Sequence, residues 1–330
     1  MDFIQAIFDL IKNLSVVYFF IIIGIVWRFS PLYREKFTVW FTNIAIWIFF
    51  PIVILSSFSD IESFTGQSII FVTCLAILVH LVSYFTIYLM SRNLDPSEIG
   101  ARVLCSTFPN ALLFPFPIII AIIGSSALFT ATLFVFIALV SRNTLGVYLG
   151  VYYGSKKMNS SSNVSDSFKL DVRKIILDTF KFPPFVALVL GFILYSIYGH
   201  TIISILPYID IIKNLSLYGS LLIIGFSFEK FEQLLPQNLF SRDILEVSLP
   251  RFIISPLFAG SILLLVNAPP LVSVPLFIQS MAPPAVSNIL YGQFFHFDTS
   301  KISQLITSLT LLALLILPLE FLIILILFPF

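Results

Sequence analysis

Apolar stretches of about 20 residues recur along the whole chain, separated by short polar connections, and no other feature limits the fold so strongly. A hydrocarbon layer about 30 Å thick is crossed by about 20 helical residues. Within it every backbone N–H and C=O must be satisfied by the chain itself, which runs of this length achieve as helices. Ten such stretches are read, near 14–30, 37–58, 67–91, 101–124, 127–153, 183–199, 207–228, 248–266, 271–295 and 302–328. Only 11% of the residues are charged, where a soluble domain carries about 25%. The expectation is an all-α polytopic membrane protein with ten transmembrane helices. The chain is acidic before its first apolar run and no small-residue cleavage motif follows a short apolar region, so that stretch is expected to be retained as a helix rather than removed as a signal peptide.

The connections alternate in charge. Arg28, Arg34 and Lys36 occupy the first, Arg92 and Arg102 flank the third, and Lys156, Lys157, Lys169, Arg173, Lys174 and Lys181 fill the fifth. Lys230, Arg242 and Arg251 surround the seventh, and Lys301 lies in the ninth. The second, fourth, sixth and eighth carry no Lys or Arg. By the positive-inside rule the odd connections are cytoplasmic and both termini lie outside, most simply in a plasma membrane. Lys12, Lys213 and Arg142 fall outside this alternation.

The polar run 155–169, "SKKMNSSSNVSDSFK", reads as a linker between residues 1–154 and 170–330. Each part then holds five spans. Two homologous five-helix halves would be oppositely oriented, the 5+5 inverted repeat of many secondary transporters.

Two stretches break the helical pattern at mid-span. "TFPNALLFPFPIII" (107–120) contains Pro109, Pro115 and Pro117 beside Asn110, and "SMAPPAVSNILYGQFF" (280–295) contains Pro283 and Pro284 with Asn288. An interior proline removes a hydrogen bond and clashes with the preceding turn, at roughly 3 kcal/mol or more. Such a break is tolerated in a membrane where it lines a cavity. The two lie at matching places in the two halves, in helices 4 and 9, and broken helices at matching places point to a transporter binding site. Half-helix N-termini carry about half a positive charge each, so two meeting at mid-membrane favour an anion, with Asn side chains as donors. Candidate substrate-binding residues are therefore Ser106, Thr107, Pro109, Asn110, Pro117, Gln279, Pro283, Pro284, Ser287 and Asn288. Freed carbonyls at the opposite half-helix ends could hold a cation or water. Pro51, Pro256 and Pro318 read as simple kinks.

At these residues the sequence resembles the auxin efflux carrier family, which includes plant auxin-efflux facilitators and prokaryotic permeases. "NALLFPFP" (110–117) is similar to the family's fourth-helix stretch, with Pro115 where the family usually has glycine. "MAPPAVSN" (281–288) is similar to its ninth-helix stretch, and "NTLGVYLG" (143–150), "FPPFVALVLGFIL" (182–194) and "PRFIISPL" (250–257) add to the likeness. The resemblance implies crossed helices 4 and 9, a scaffold of helices 1, 2, 6 and 7 at a homodimer interface, and a transport domain of helices 3–5 and 8–10. It implies elevator-type movement of an organic anion, a carboxylate and conceivably auxin-like. A non-transporting sensor or receptor on the same fold is the alternative.

Ionisable residues inside spans are functional candidates by default. His80 could relay protons or simply bond a backbone carbonyl. Arg142 could snorkel to the cytoplasmic side or attract an anion, and Glu320 could couple a proton or pair at the interface. The coupling ion, H+ or Na+, stays open. Cys74 and Cys105 lie in apolar runs and read as small hydrophobes, not metal ligands or a disulfide. The three histidines, His80, His200 and His296, are far apart, and no HExxH or GxSxG pattern occurs, so an enzyme is not expected. No cofactor is called for, and the scattered basic residues form no nucleic-acid surface.

Overall fold

The computed structural model describes residues 3–58, 66–160, 181–198, 209–228 and 241–328. His200 and positions 161–169 of the expected linker lie outside them. Among the described residues all regular structure is helical apart from one isolated two-residue bridge. The helices are α1 (Phe3–Arg28), α2 (Glu35–Ile44), α3 (Phe50–Ser57), α4 (Gly66–Ser91), α5 (Pro96–Thr107), α6 (Pro115–Ile123), α7 (Leu128–Ser141) and α8 (Val147–Ser160). They continue as α9 (Pro183–Tyr198), α10 (Ile209–Phe226), α11 (Arg242–Leu249), α12 (Ser255–Leu265), α13 (Pro270–Ser280), α14 (Asn288–Phe294) and α15 (Thr299–Leu327).

Six described stretches are long and apolar enough to cross a membrane: Ile11–Arg28, Glu35–Ser57, Gln67–Ser91, Ser125–Gly154, Arg242–Leu265 and Thr299–Leu327. Pro183–Tyr198 and Pro270–Ser280 are shorter apolar helices. The expected fourth and ninth spans are each two helices with a gap, α5/α6 and α13/α14. Proline accounts for the gaps: neither Pro109 nor the Pro283–Pro284 pair can donate the next helical hydrogen bond.

Three of the long stretches pass through a π turn, at Ala45–Phe49, Arg142–Gly146 and Pro250–Ile254. Such turns are rare, tend to mark functional positions, and re-aim the side chains around them. Pro250 opens the third, and Pro51 and Pro256 follow closely on the first and third. Pro318 is accommodated inside α15.

α1 packs along α10, and α3 along α9. The first of these contacts depends on two glycines. A Cβ on Gly24 would lie 2.5 Å from Leu222 O, and one on Gly225 would lie 2.7 Å from Gly24 Cα. Close backbone approach through small residues is a principal attraction between helices in lipid. We therefore expect Gly225→Val to force α1 from α10 and to destabilise the protein by about 1–3 kcal/mol. A thermal-unfolding shift in detergent, absent for a valine on a lipid-facing position such as Leu215, is the check.

A second group surrounds α4, which packs on α5, α7, α12 and α13, while α5 contacts α8 and α15. Aromatic pairs join the two groups: Phe50 with Phe116 at 5.5 Å and Phe58 with Phe129 at 5.2 Å, both edge to face. The outward faces carry exposed Phe19, Trp47, Leu257 and Leu265, an apolar exterior suited to lipid rather than water.

Two arginines counted beside connections are held inside the protein. Arg102 is 3% exposed and donates to Glu98, Asp243 and Glu246, and Lys301 Nζ donates to Glu98 and Asp243. This network ties α5, α11 and α15 together at one end, and several mutually paired charges hold geometry better than an isolated pair. Arg251 is fully buried inside the bundle. By sequence it counts among the charges around the seventh connection, at the start of the 248–266 stretch.

Candidate substrate site

α5 stops where Phe108 turns extended, with φ −105° and ψ 102°. Asn110 N–H then donates to Pro283 O at 2.7 Å, and Ala285 N–H donates to Phe108 O at 3.1 Å. Pro109 and Pro284 thus face each other in an antiparallel bridge. The interruption in one helix meets the interruption in the other, and the pairing satisfies backbone groups that lipid could not.

Side chains satisfy more of the exposed backbone. Asn288, fully buried, donates from Nδ2 to Leu104 O at 3.0 Å and Phe108 O at 3.1 Å. Gln279 Nε2 donates to Ala111 O at 2.9 Å and Ala131 O at 3.4 Å. Arg251 donates from Nε to Ala282 O at 2.6 Å and from Nη1 to Ser106 O at 3.0 Å. Ser106 O also accepts from Ser83 Oγ at 2.8 Å. Arg251 went unnoticed in the reading of binding residues, although it belongs to the quoted "PRFIISPL" stretch.

In front of this pairing lies a cavity of about 250 Å³. It is lined by the Phe108–Leu113 and Ala285–Ser287 segments, by Val135, Ala138, Leu139 and Arg142, and by Ile46 and Phe182. Its lining is mostly apolar, with Asn110, Arg142 and Ser287 as the polar side chains. Among the described residues Arg142 is the only charged one. Its Nη1 donates to Ser287 Oγ, its guanidinium lies 5.4 Å from the centre of the Tyr291 ring, and its Nε has no hydrogen-bond partner. Tyr291 in turn donates to Asn143 Oδ1. Arg142 opens the second π turn, and it points into the cavity rather than out to the membrane surface.

The cavity gathers Pro109, Asn110, Ser287 and Arg142 from the sequence candidates. Ser106, Thr107, Gln279 and Asn288 are fully buried behind it, and Pro117 is buried within α6. Pro283 and Pro284 build the backbone pairing without lining the space. His80, 1% exposed, sits behind the pairing with its ring 6.5 Å from Phe108, and its Nδ1 lies 2.6 Å from Ala76 O. Glu320, 3% exposed with Oε1 unpartnered, lies in α15 outside the cavity. The half-helix N-termini differ from expectation in one respect. Pro115 and Pro117 have no N–H, Phe116 N–H bonds Leu112 O, and the first N–H groups of α14 bond Ala285, Val286 and Ser287. Side chains, more than free backbone N–H groups, therefore supply the donors facing the cavity.

A bundle of lipid-facing apolar helices around a cavity at two paired, interrupted helices is the build of an integral membrane transport protein. The sequence model of the family described as "Membrane transport protein" matches residues 9–320. The chain belongs to this family, that of the auxin efflux carriers. It is also similar to an uncharacterized transporter of Methanocaldococcus jannaschii, 24% identical over 319 residues, covering 93% of this chain and 97% of the relative. It is a transporter, not an enzyme.

Proposed function

We propose that the protein is a secondary transporter that carries an organic anion, a carboxylate, by alternating access. The observation that carries this reading is the charge of the cavity. Arg142 lines it beside Asn110 and Ser287, and among the described residues no acidic side chain does. An apolar pocket with a few convergent polar groups is the usual form of a small-molecule site, and a guanidinium binds a carboxylate through two parallel hydrogen bonds.

The architecture is a ten-span 5+5 inverted repeat of residues 1–154 and 170–330, with the fourth and ninth spans crossing at the Pro109–Pro284 pairing. The packing of α1 on α10 and of α3 on α9 supports it, since exchanging the halves converts the first of these contacts into the second. The connections also support it: Arg102, Asp243 and Lys301, near the third, seventh and ninth, share one ion cluster. These odd connections are cytoplasmic, with both termini outside, in the plasma membrane. Spans 1, 2, 6 and 7 form the scaffold and the face of a homodimer, and spans 3–5 and 8–10 move past it as an elevator. The cavity lies where Ile46 and Phe182, flanking the scaffold, meet the crossover, which is where such movement would switch its access.

The test is uptake of a panel of labelled carboxylates into proteoliposomes. Asn110→Ala is expected to abolish uptake while leaving thermal stability within about 1 kcal/mol of wild type, because its side chain makes one long bond, 3.3 Å, from Leu113 N–H. Flux like that of wild type in this variant would sink the proposed site.

A further inference from the structure

The C-terminal ends of α5 and α13 converge at the crossover, and both expose carbonyls. Each helix C-terminus carries about half a negative charge, and in interrupted membrane helices such ends, with unwound carbonyls, are where transporters coordinate a coupling cation. Here that place is occupied by a side chain. Arg251 reaches from the π turn at Pro250–Ile254 and donates at 2.6 Å to Ala282 O and at 3.0 Å to Ser106 O, one carbonyl from each break. It is fully buried, and among the described residues no carboxylate lies within ion-pair distance. A buried cation without an acidic partner is ordinarily unsustainable in a membrane. Two converging helix ends of about −0.5 each supply the counter-charge of one guanidinium.

Four further carbonyls at the crossover are engaged too. Leu104 O and Phe108 O accept from Asn288, Ala111 O accepts from Gln279, and Pro283 O accepts from Asn110 N–H. These carbonyls are thus already turned toward N–H donors, whereas Thr107 Oγ1, Gln279 Oε1 and Asn288 Oδ1 are buried with no partner among the described residues.

We infer that Arg251 is a permanently tethered cation that takes the place of a coupling sodium ion at the crossover, so that the site is assembled and transport proceeds without sodium. Arg251 is a positioning residue: it touches no part of the cavity and acts through the backbone that carries Asn110 and Ser287. This rests on the transporter reading for its consequence but not for its test.

The purified protein is unfolded thermally in equal concentrations of sodium, potassium and N-methylglucamine chloride. Wild type should unfold at the same temperature in all three. Arg251→Lys, which keeps a charge but loses the planar fork, should unfold lower by at least about 5 °C, again without a sodium effect. Arg251→Ala should be weaker still, and millimolar guanidinium chloride should raise its midpoint while leaving wild type unmoved. A sodium-specific rise in wild type would overturn the inference. So would an Arg251→Lys protein as stable as wild type, a result available even if the alanine variant does not fold. In proteoliposomes the expected flux is equal with and without sodium. If no tested carboxylate is carried, the transporter reading suffers while the unfolding comparison still decides the role of Arg251.

Discussion

Replacing Arg142 with glutamine is expected to lower carboxylate flux about 10- to 100-fold, the loss of a charge-assisted contact with the anion of roughly 1.5–3 kcal/mol. The expectation follows from the lining of the cavity, where among the described residues Arg142 is the one cation. Glutamine keeps a donor for Ser287 Oγ, so the pairing of α7 with the segment before α14 survives. What disappears is the charge, together with the contact over the Tyr291 ring, and cation–π contacts contribute about 0.5–2 kcal/mol. Against that loss stands the relief of removing a cation whose Nε has no partner. Stability should therefore change by less than about 1–2 kcal/mol, and an unfolding midpoint close to wild type separates loss of binding from loss of fold. Counterflow measured at several carboxylate concentrations should show a raised half-saturation. Unchanged saturation would assign anion recognition elsewhere and leave Arg142 as a packing residue.

The fold was readable where physical constraints act locally. Continuous spans such as α4 and α15 follow from apolar length alone, and both interruptions follow from prolines that cannot donate. The role of Arg251 was not readable, because its partners are carbonyls of Ser106 and Ala282, brought to it by tertiary packing and marked by no side-chain signature. Its neighbours Pro250 and Pro256 were the available signal, since a π turn re-aims the residue between them toward the bundle. For Arg142 both orientations were compatible with its position in the span, and only the packing of α14 against it decides. Arg102 shows the same limit: its carboxylate partners Asp243 and Glu246 lie far away in sequence, so it read only as a charge flanking the third connection. Sequence places residues along a helix, whereas the counter-charge that makes a buried cation tolerable comes from another part of the chain.

The two asparagines looked equivalent as residues, and a change to aspartate is expected to separate them. Asn288 sits 3.0 and 3.1 Å from two carbonyl oxygens and is fully buried. Aspartate there would replace a donating amide with an acceptor facing two acceptors, and its charge would have no partner. Burying an unpaired acceptor or charge costs several kcal/mol, so Asn288→Asp should assemble poorly or unfold far below wild type. Asn288→Ala should be milder, at about 2 kcal/mol for two lost bonds, because Leu104 O and Phe108 O each keep a backbone donor, from Phe108 and Ala285. Asn110→Asp should behave in the opposite way. Its oxygen already accepts from Leu113 N–H, and the residue lines the cavity, so a carboxylate keeps that bond and the fold. It would also pair with the nearby Arg142 charge and repel an incoming carboxylate, so binding should be lost from a stable protein. Thermal midpoints and carboxylate binding measured on the three variants give the check: stable Asn288→Asp would show that its amide does not hold the two breaks together. Full binding in Asn110→Asp would show that the anion does not meet this side chain.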